Sequence, residues 1–549
     1  MDTGREFPPP LPTLFSRALE GRPDRTALIT SRDSLSYEAL NRRSNALANA
    51  LVDAGVEPGD RVATALSNQL EAPVVDVAIY KAGGARLPIN PSLSTAEITY
   101  MLADSGAEAI FCDPPLVPDI DGMANELSLT LRAVVDPDDQ GDGWHTLADL
   151  ERRSEDGRPP AVSVDPETIG GHFYTGGTTG EPKGVLYSQS CLSANLIAHL
   201  TELGFSDTDT GLVSTPLSHS GGTFLQSGLL AGGTVCIQRG FDVDRLVDAI
   251  ATHDVTWTFL VPTMLYRLLD AGVTGDDVPS LERVLYGAAP MQSDRLRDAI
   301  DRFGPIFVQF YGQTEVPNLI TTLDRRDHAR AVDEEDGDGG DRNGTCDGDG
   351  NGDADGDGDD RLLRSAGRPC SFVDVRIVDP TTGDEQPHGE RGEIAVSAPY
   401  SFERYHNRPD ETAKVLRDGW VHTGDIGRLD DGYLYLLDRL HNVIVTGGLN
   451  VYSNDVETVL RDHPAVADVA VIGLPHEEWG EAVHALVVTH EGECIDESDL
   501  LEFAGDRLAG YKKPKSLEFV DDLPTTPLGK LDKQSIRDQY WNDRDRRIG

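Results

Sequence analysis

Lysine is almost missing from this chain. Only Lys81, Lys183, Lys414, Lys512, Lys513, Lys515, Lys530 and Lys533 occur among 549 residues, and arginine supplies the other forty of 48 basic side chains. Positive charge is short altogether: 94 Asp and Glu leave a formal net charge of -46. A surface so rich in carboxylates repels phosphates, which argues against general nucleic-acid binding. Cysteine is sparse and unpaired. Cys112, Cys191, Cys236, Cys346, Cys370 and Cys494 form no C-x-x-C pair, so neither a zinc site nor a disulfide framework is expected, and a reducing cytoplasm is. Long apolar runs are missing too: none approaches the roughly 20 residues that span a bilayer. "MDTGREFPPP" has no basic segment followed by an apolar one, so no signal peptide is expected.

What is present is enough for large cores, since 38% of the residues are hydrophobic. The length predicts two or more domains. Acidic residues run through the whole chain. Concentrated salt would screen their mutual repulsion, so a halophilic, cytoplasmic protein is expected. From about residue 35, helical and strand-like patterns alternate. "SYEALNRRSNALANALVDAG" has apolar residues at three- and four-residue steps and stops at Gly55; "RVATAL" reads as a buried strand. "LEAPVVDVAIYKAGG" (helix) and "AEAIFCD" (strand) follow. The pattern recurs through "GGTVCIQ", "RLVDAIATHD", "VTWTFLV" and "RLRDAIDRFG". Such alternation implies an α/β fold with parallel sheets and helices on their faces.

Two features interrupt it. Residues 333–360 are almost pure Asp, Gly and Asn. Asp347, Asp349, Asn351 and Gly352 match the opening of an EF-hand loop, but position twelve is Gly358 where a bidentate Glu is needed. A solvated, disordered insertion is the expectation. Near Asp438 the character changes to short αβ elements and a lysine-bearing tail, which predicts a small C-terminal domain.

The stretch "FYTGGTTGEPKGV", Phe173 to Val185, packs glycines and threonines around Lys183. A P-loop requires lysine directly after glycine and before a hydroxyl; Lys183 follows Pro182 and precedes Gly184, so this is not one. The composition still suits phosphates. Glycines let backbone N–H groups approach, Thr175, Thr178 and Thr179 offer hydroxyls, and Lys183 offers charge.

This stretch resembles the phosphate loop of the adenylate-forming superfamily, which includes acyl- and aryl-CoA synthetases, nonribosomal adenylation domains and firefly luciferase. The family form is T-S-G-T-T-G-x-P-K-G, with Gly176 here in place of serine. Similar segments follow in the family's order: "TPLSHSGG" (215–222), "LYGAAPM" (285–291), "FYGQTE" (310–315), "SAGRP" (365–369), "DGWVHTGD" (418–425), "DRLHNVIVTGGLNVY" (438–452) and "PTTPLGK" (524–530). The resemblance runs from about Ser34 to Arg537, apart from the acidic insertion.

The resemblance implies a large multi-subdomain N-terminal domain, 1–437, and a small mobile α+β domain, 438–549, hinged at Asp438. It implies a two-step reaction with ATP, Mg2+ and coenzyme A: a carboxylic acid, fatty or else aromatic, becomes an acyl-adenylate and is then transferred to a thiol. By the family pattern Thr175, Gly176, Gly177, Thr178, Thr179 and Lys183 cradle phosphates, Gly287, Ala288, Tyr311 and Gly312 form the adenine pocket, and Thr314 meets the α-phosphate. Glu315 ligates magnesium, Asp425 with Arg439 nearby holds the ribose, and His219 lies at the acyl pocket. Lys530 bridges carboxylate and α-phosphate, while Gly447 and Gly448 admit the pantetheine arm. Many relatives have a lysine where this chain has Val445, so no coenzyme contact is carried to it.

"SHSGGTFLQSGLL" contains no acidic residue to hold a substrate ammonium, which argues against an amino acid. Gly221, Gly222, Thr223, Phe224 and Leu225 suit an apolar acyl group. Five of eight lysines lie between Lys512 and Lys533, which reads as positive charge gathered for anionic ATP and coenzyme A. Two alternatives remain open at this stage: an adenylation enzyme loading a carrier-protein thiol, and a non-catalytic ligand-binding relative.

Overall fold

A computed structural model describes residues 8–541 except 124–126, 136–142, 154–156, 176–181, 337–360, 447–448, 477–478, 491, 494 and 525–530. The chain divides into two compact units. One comprises Met1–Arg330, Ala366–Val375 and Val396–Val421; the other comprises Ala331–Ser365, Arg376–Ala395 and His422–Gly549.

The first unit is α/β, as the alternating pattern predicts. Its larger sheet runs in the order Arg368–Pro369, Val316–Leu323, Phe307–Gln313, Arg283–Gly287, Trp257–Leu260, Thr210–Val213, Thr234–Ile237, Thr26–Ile29 and Ser34–Ser36. The strands from Phe307–Gln313 to Thr26–Ile29 are parallel, with antiparallel strands at the edges. Parallel neighbours need crossover connections, and amphipathic helices such as Val243–His253 and Ser293–Phe303 supply them. A second sheet orders Arg404–Tyr405, Lys183–Ser188, Ile169–Thr175, Ala85–Pro88, Arg61–Ala65, Ala109–Cys112, Leu131–Val134 and His145–Thr146.

In the C-terminal part of the second unit, Val466–His476 pairs antiparallel with Gly480–Thr489. Side chains alternate between the two faces of the pair. Val469, Val471, Val483, Ala485 and Val487 share one core with Val456, Leu460 and Leu500, whereas Ala470, Ile472 and Leu486 share another with Ile536. Helices Ser453–Arg461 and Glu497–Arg507 thus cover one face, and Lys533–Tyr540 covers the other.

The helix before the acidic run reaches into it. Helix Arg325–Asp336 takes in the run's first four residues, Asp-Glu-Glu-Asp at 333–336, which contain no glycine. The EF-hand match lies outside the described residues. Cys112, Cys191, Cys236 and Cys370 are free and buried, in accord with the absence of a disulfide pattern. No described helix is long and apolar enough to cross a membrane.

One of the rare lysines lies in the core. Lys81 ends helix Glu71–Lys81, and its Nζ donates to Asn41 Oδ1 (2.6 Å), Ser44 Oγ (2.9 Å) and Asn45 Oδ1 (2.6 Å) on helix Tyr37–Asp53. All three acceptors are neutral, and burial lowers its pKa from 10.5 to about 7. An unfolded lysine keeps its proton in that interval while the folded one loses it, so raising the pH through it favours the folded state. The stability of the wild type relative to Lys81→Met is therefore expected to rise between pH 7 and 10.5, at up to ~1.4 kcal/mol per pH unit. Urea denaturation of both proteins across that range measures it. A pH-independent difference would mean that the three oxygens keep Lys81 charged in the fold.

Candidate active site

The first unit gathers its candidate residues at two sheet ends. Strands Thr210–Val213, Arg283–Gly287 and Phe307–Gln313 belong to one parallel set, so the segments after them emerge at the same sheet edge. Ligands in open α/β sheets bind outside the carboxyl ends of the strands. From these ends come the segment with His219, the Gly287–Ala288 turn, and Tyr311, Gly312, Thr314 and Glu315. Gly287 pairs with Phe310, and a Cβ on Gly287 would lie 2.4 Å from the Phe310 carbonyl oxygen. Ala288 is exposed with φ 66°, a left-handed conformation that a non-glycine residue rarely adopts. Tyr311 is half-buried in its strand. A Cβ on Gly312 would meet the backbone of Asn318 at 2.5 Å.

Thr314 and Glu315 form the turn between Phe307–Gln313 and Val316–Leu323, where Gln313 pairs with Val316. The Tyr187 hydroxyl donates to the Thr314 carbonyl oxygen. Glu315 is 8% exposed; its Oε1 accepts from the Tyr405 hydroxyl at 2.6 Å and its carbonyl oxygen accepts from the Phe402 N–H at 2.8 Å. Among the described residues Glu315 makes no ion pair. A buried carboxylate facing only a neutral phenol fits a cation ligand.

The phosphate-loop hairpin belongs to the other sheet. Thr175 pairs with Lys183, which pins both ends of the loop opposite each other. Gly176, Gly177, Thr178 and Thr179 lie outside the described residues. Lys183 Nζ sits 2.5 Å from Glu411 Oε2 and 5.3 Å from the ring centre of Tyr405. Arg408 Nη1 approaches Glu411 Oε1 at 3.0 Å, and its Nη2 donates to the Tyr100 hydroxyl, which donates to the Pro182 carbonyl oxygen at 3.1 Å. The hydrogen bond from Lys183, together with the one from Arg408, lowers the pKa of Glu411. Gly184 is required here: a Cβ would sit 2.0 Å from His172 Nε2.

His219 is exposed and precedes helix Ser220–Ala231, with its Nδ1 2.9 Å from Ser218 Oγ. Its segment is braced from outside: Asn68 Nδ2 donates to the Thr215 carbonyl oxygen (2.9 Å), and Arg86 Nη2 donates to that of Leu217 (2.9 Å). Arg86 is paired with buried Asp76 at 2.6 Å. Phe224 and Leu225 are fully buried, and the Phe224 ring lies 4.8 Å from Phe259 and 5.1 Å from Phe310. Their apolar side chains pack within the core beside this segment. Two polar residues unremarked in the sequence adjoin this segment. Asn318, at φ 63°, accepts from Ser220 Oγ (2.8 Å), and its Nδ2 lies 3.1 Å from Nε2 of buried His199. Burial lowers the His199 pKa to about 4, so it is neutral.

In the second unit Asp425 and Arg439 face each other across the hairpin of Trp420–Asp430 and Tyr433–Arg439. Arg439 Nε lies 2.7 Å from Asp425 Oδ1; Asp425 is buried while the Arg439 side chain is 53% exposed. Asp438 Oδ2 accepts from Ser453 Oγ (2.7 Å) and from the Asn454 N–H (3.3 Å), at the start of helix Ser453–Arg461. Gly447 and Gly448 lie outside the described residues, between paired strands Ile444–Thr446 and Leu449–Val451; Lys530 lies outside them too. Reading the lysine-rich tail as charge gathered for ligands needs correction at two positions. Lys512 pairs with Asp455 at 2.8 Å and Lys533 with buried Glu457 at 2.6 Å, so both charges are held within the unit.

Residues 15–406 match the AMP-binding enzyme family and 455–530 match the AMP-binding enzyme C-terminal domain. The chain is 35% identical to a medium/long-chain-fatty-acid–CoA ligase of Mycobacterium tuberculosis, over 98% of this chain and 91% of that one. It is 36% identical to a feruloyl-CoA synthase of an Amycolatopsis species, over 94% and 96%. Its fold matches the crystal structure of ATP-bound MatB from Rhodopseudomonas palustris with a TM-score of 0.84 at 31% identity, covering 97% of this chain and 99% of that one. The chain belongs to the AMP-binding, adenylate-forming enzyme family. Within it the chain is an acid–thiol ligase of the acyl-CoA synthetase type, a class whose reaction uses ATP, Mg2+ and coenzyme A.

Proposed function

We propose that this enzyme activates a fatty acid to its acyl-adenylate and transfers the acyl group to coenzyme A in a high-salt cytoplasm. The observation that carries the nucleotide site is one shared neighbour. Tyr405 bonds Glu315 and stacks beneath Lys183, so the carboxylate expected to meet the metal and the ammonium expected to meet phosphates flank a single side chain.

In this reading Lys183, Thr175 and the loop 176–179 hold the β- and γ-phosphates, and Thr314 donates to the α-phosphate. Glu315 would hold Mg2+, which neutralises charge on phosphate oxygens. Gly287, Ala288, Tyr311 and Gly312 receive the adenine; glycine at 287 and 312 lets the neighbouring backbone of Phe310 and Asn318 pack close, where a Cβ would clash. Asp425 accepts from the ribose hydroxyls, with Arg439 keeping its carboxylate oriented. Lys530 brings positive charge to the attacking carboxylate and the α-phosphate, two anions that otherwise repel. Asp438 is the hinge between domains 1–437 and 438–549, and Gly447 and Gly448 admit the pantetheine arm. His219 stands beside the acyl group. Among the described residues no carboxylate bonds the neutral cluster of Ser220, Asn318 and His199, which supports an acid without an ammonium group.

Pyrophosphate release from ATP in molar KCl, with short, medium, long-chain and aromatic acids, each with and without coenzyme A, tests this. Release specific to fatty acids and accelerated by coenzyme A is expected. A preference for aromatic acids would overturn the substrate reading. Release indifferent to coenzyme A would favour a carrier-protein acceptor.

A further inference from the structure

The segment from Phe402 to Glu411 lies far from both candidate charges in sequence, yet it touches each. Arg404 and Tyr405 pair with Leu186 and Val185 of the strand that leaves the phosphate loop, and the His406 N–H donates to the Gly184 carbonyl oxygen at 2.7 Å. This pairing sets the register of everything that follows. It puts the Tyr405 ring under Lys183 and carries the chain into helix Pro409–Val415, whose first turn presents Glu411 to the Lys183 ammonium at 2.5 Å.

A lysine beside a nucleotide site has a long flexible stem whose freedom is lost on binding phosphate. Glu411 restrains that stem beforehand. An ammonium has three N–H donors, so one directed to Glu411 leaves others for phosphate oxygens. A carboxylate beside a phosphate site should nonetheless repel the ligand. Arg408, 3.0 Å from Glu411, offsets that charge, and the set of Lys183, Glu411 and Arg408 presents a net single positive charge. The Arg408 link through Tyr100 to the Pro182 carbonyl oxygen ties the same set to the end of the loop.

We propose that Glu411, backed by Arg408, is a positioning residue that holds Lys183 ready for the phosphates of ATP. This rests on the reading of Lys183 as a phosphate ligand. The experiment is a titration of ATP with magnesium at one fixed KCl concentration, without acid or coenzyme A, on wild type, Glu411→Gln, Lys183→Met and the double variant. Thermal unfolding of each reports on folding. Glu411→Gln is expected to weaken ATP about tenfold, as loss of one charge-assisted contact does. On the Lys183→Met background the same change should have little effect, because Glu411 acts through the lysine. In turnover, the KM for ATP should rise while the KM values for acid and coenzyme A stay put.

Unchanged or tighter ATP binding by Glu411→Gln would overturn the proposal, tighter binding marking Glu411 as a competitor for Lys183. Equal effects of Glu411→Gln on both backgrounds would also overturn it, since Glu411 would then act independently of Lys183. If Lys183→Met binds ATP like wild type, the phosphate reading of Lys183 itself fails, an outcome distinct from the other two.

Discussion

Lys530→Ala is expected to slow pyrophosphate release severely while transfer from preformed acyl-adenylate to coenzyme A continues nearly unchanged. The two half-reactions make different electrostatic demands. Adenylation brings a substrate carboxylate against the α-phosphate, so two negative groups approach and a bridging ammonium lowers the barrier. Removal of one preorganised stabilising donor of this sort costs about 10²–10³ in rate. Thioester formation starts from an adenylate whose carboxylate charge is already gone, and it proceeds without that bridge. Measuring pyrophosphate release and acyl transfer separately distinguishes the roles. A comparable loss in both would remove Lys530 from its assigned step.

Asp425→Ala is expected to weaken ATP and AMP binding alike by about 10²-fold, which corresponds to two hydrogen bonds to a charged acceptor. Its effect on folding should be small. The partner left behind, Arg439, is 53% exposed and can turn to water, so no buried charge is stranded. Titration of both nucleotides beside thermal unfolding separates the possibilities. Retained nucleotide affinity with a large fall in melting temperature would make Asp425 a structural residue of its hairpin.

Much of the architecture was legible in local pattern. The three- and four-residue apolar spacing of "SYEALNRRSNALANALVDAG" produces helix Tyr37–Asp53, capped by Ser36 Oγ accepting from the Ala39 N–H. The apolar runs "RVATA", "AIFC" and "WTFL" produce strands buried along most of their length, as helices on both faces require. Motif order along the chain carried the family, and the family models agree. Where composition alone was read, its reach was shorter. The acidic run from Asp333 looked uniform, yet helix Arg325–Asp336 includes its first four residues. The clustered lysines of the tail looked like one reservoir of charge, yet Lys512 and Lys533 bond carboxylates of their own unit.

The sequence by itself determined the class of enzyme, the α/β elements and the identity of its candidate charged groups, because those follow from local periodicity and from short motifs in a fixed order. Tertiary structure decided which neighbours those groups have. Tyr405 reaches Glu315 across 90 residues of chain, and Glu411 reaches Lys183 only because a two-residue strand docks beside Val185 and Leu186. Charge and hydrogen bonding act through distance in space. That distance depends on strand register and helix placement, which no motif in the chain records.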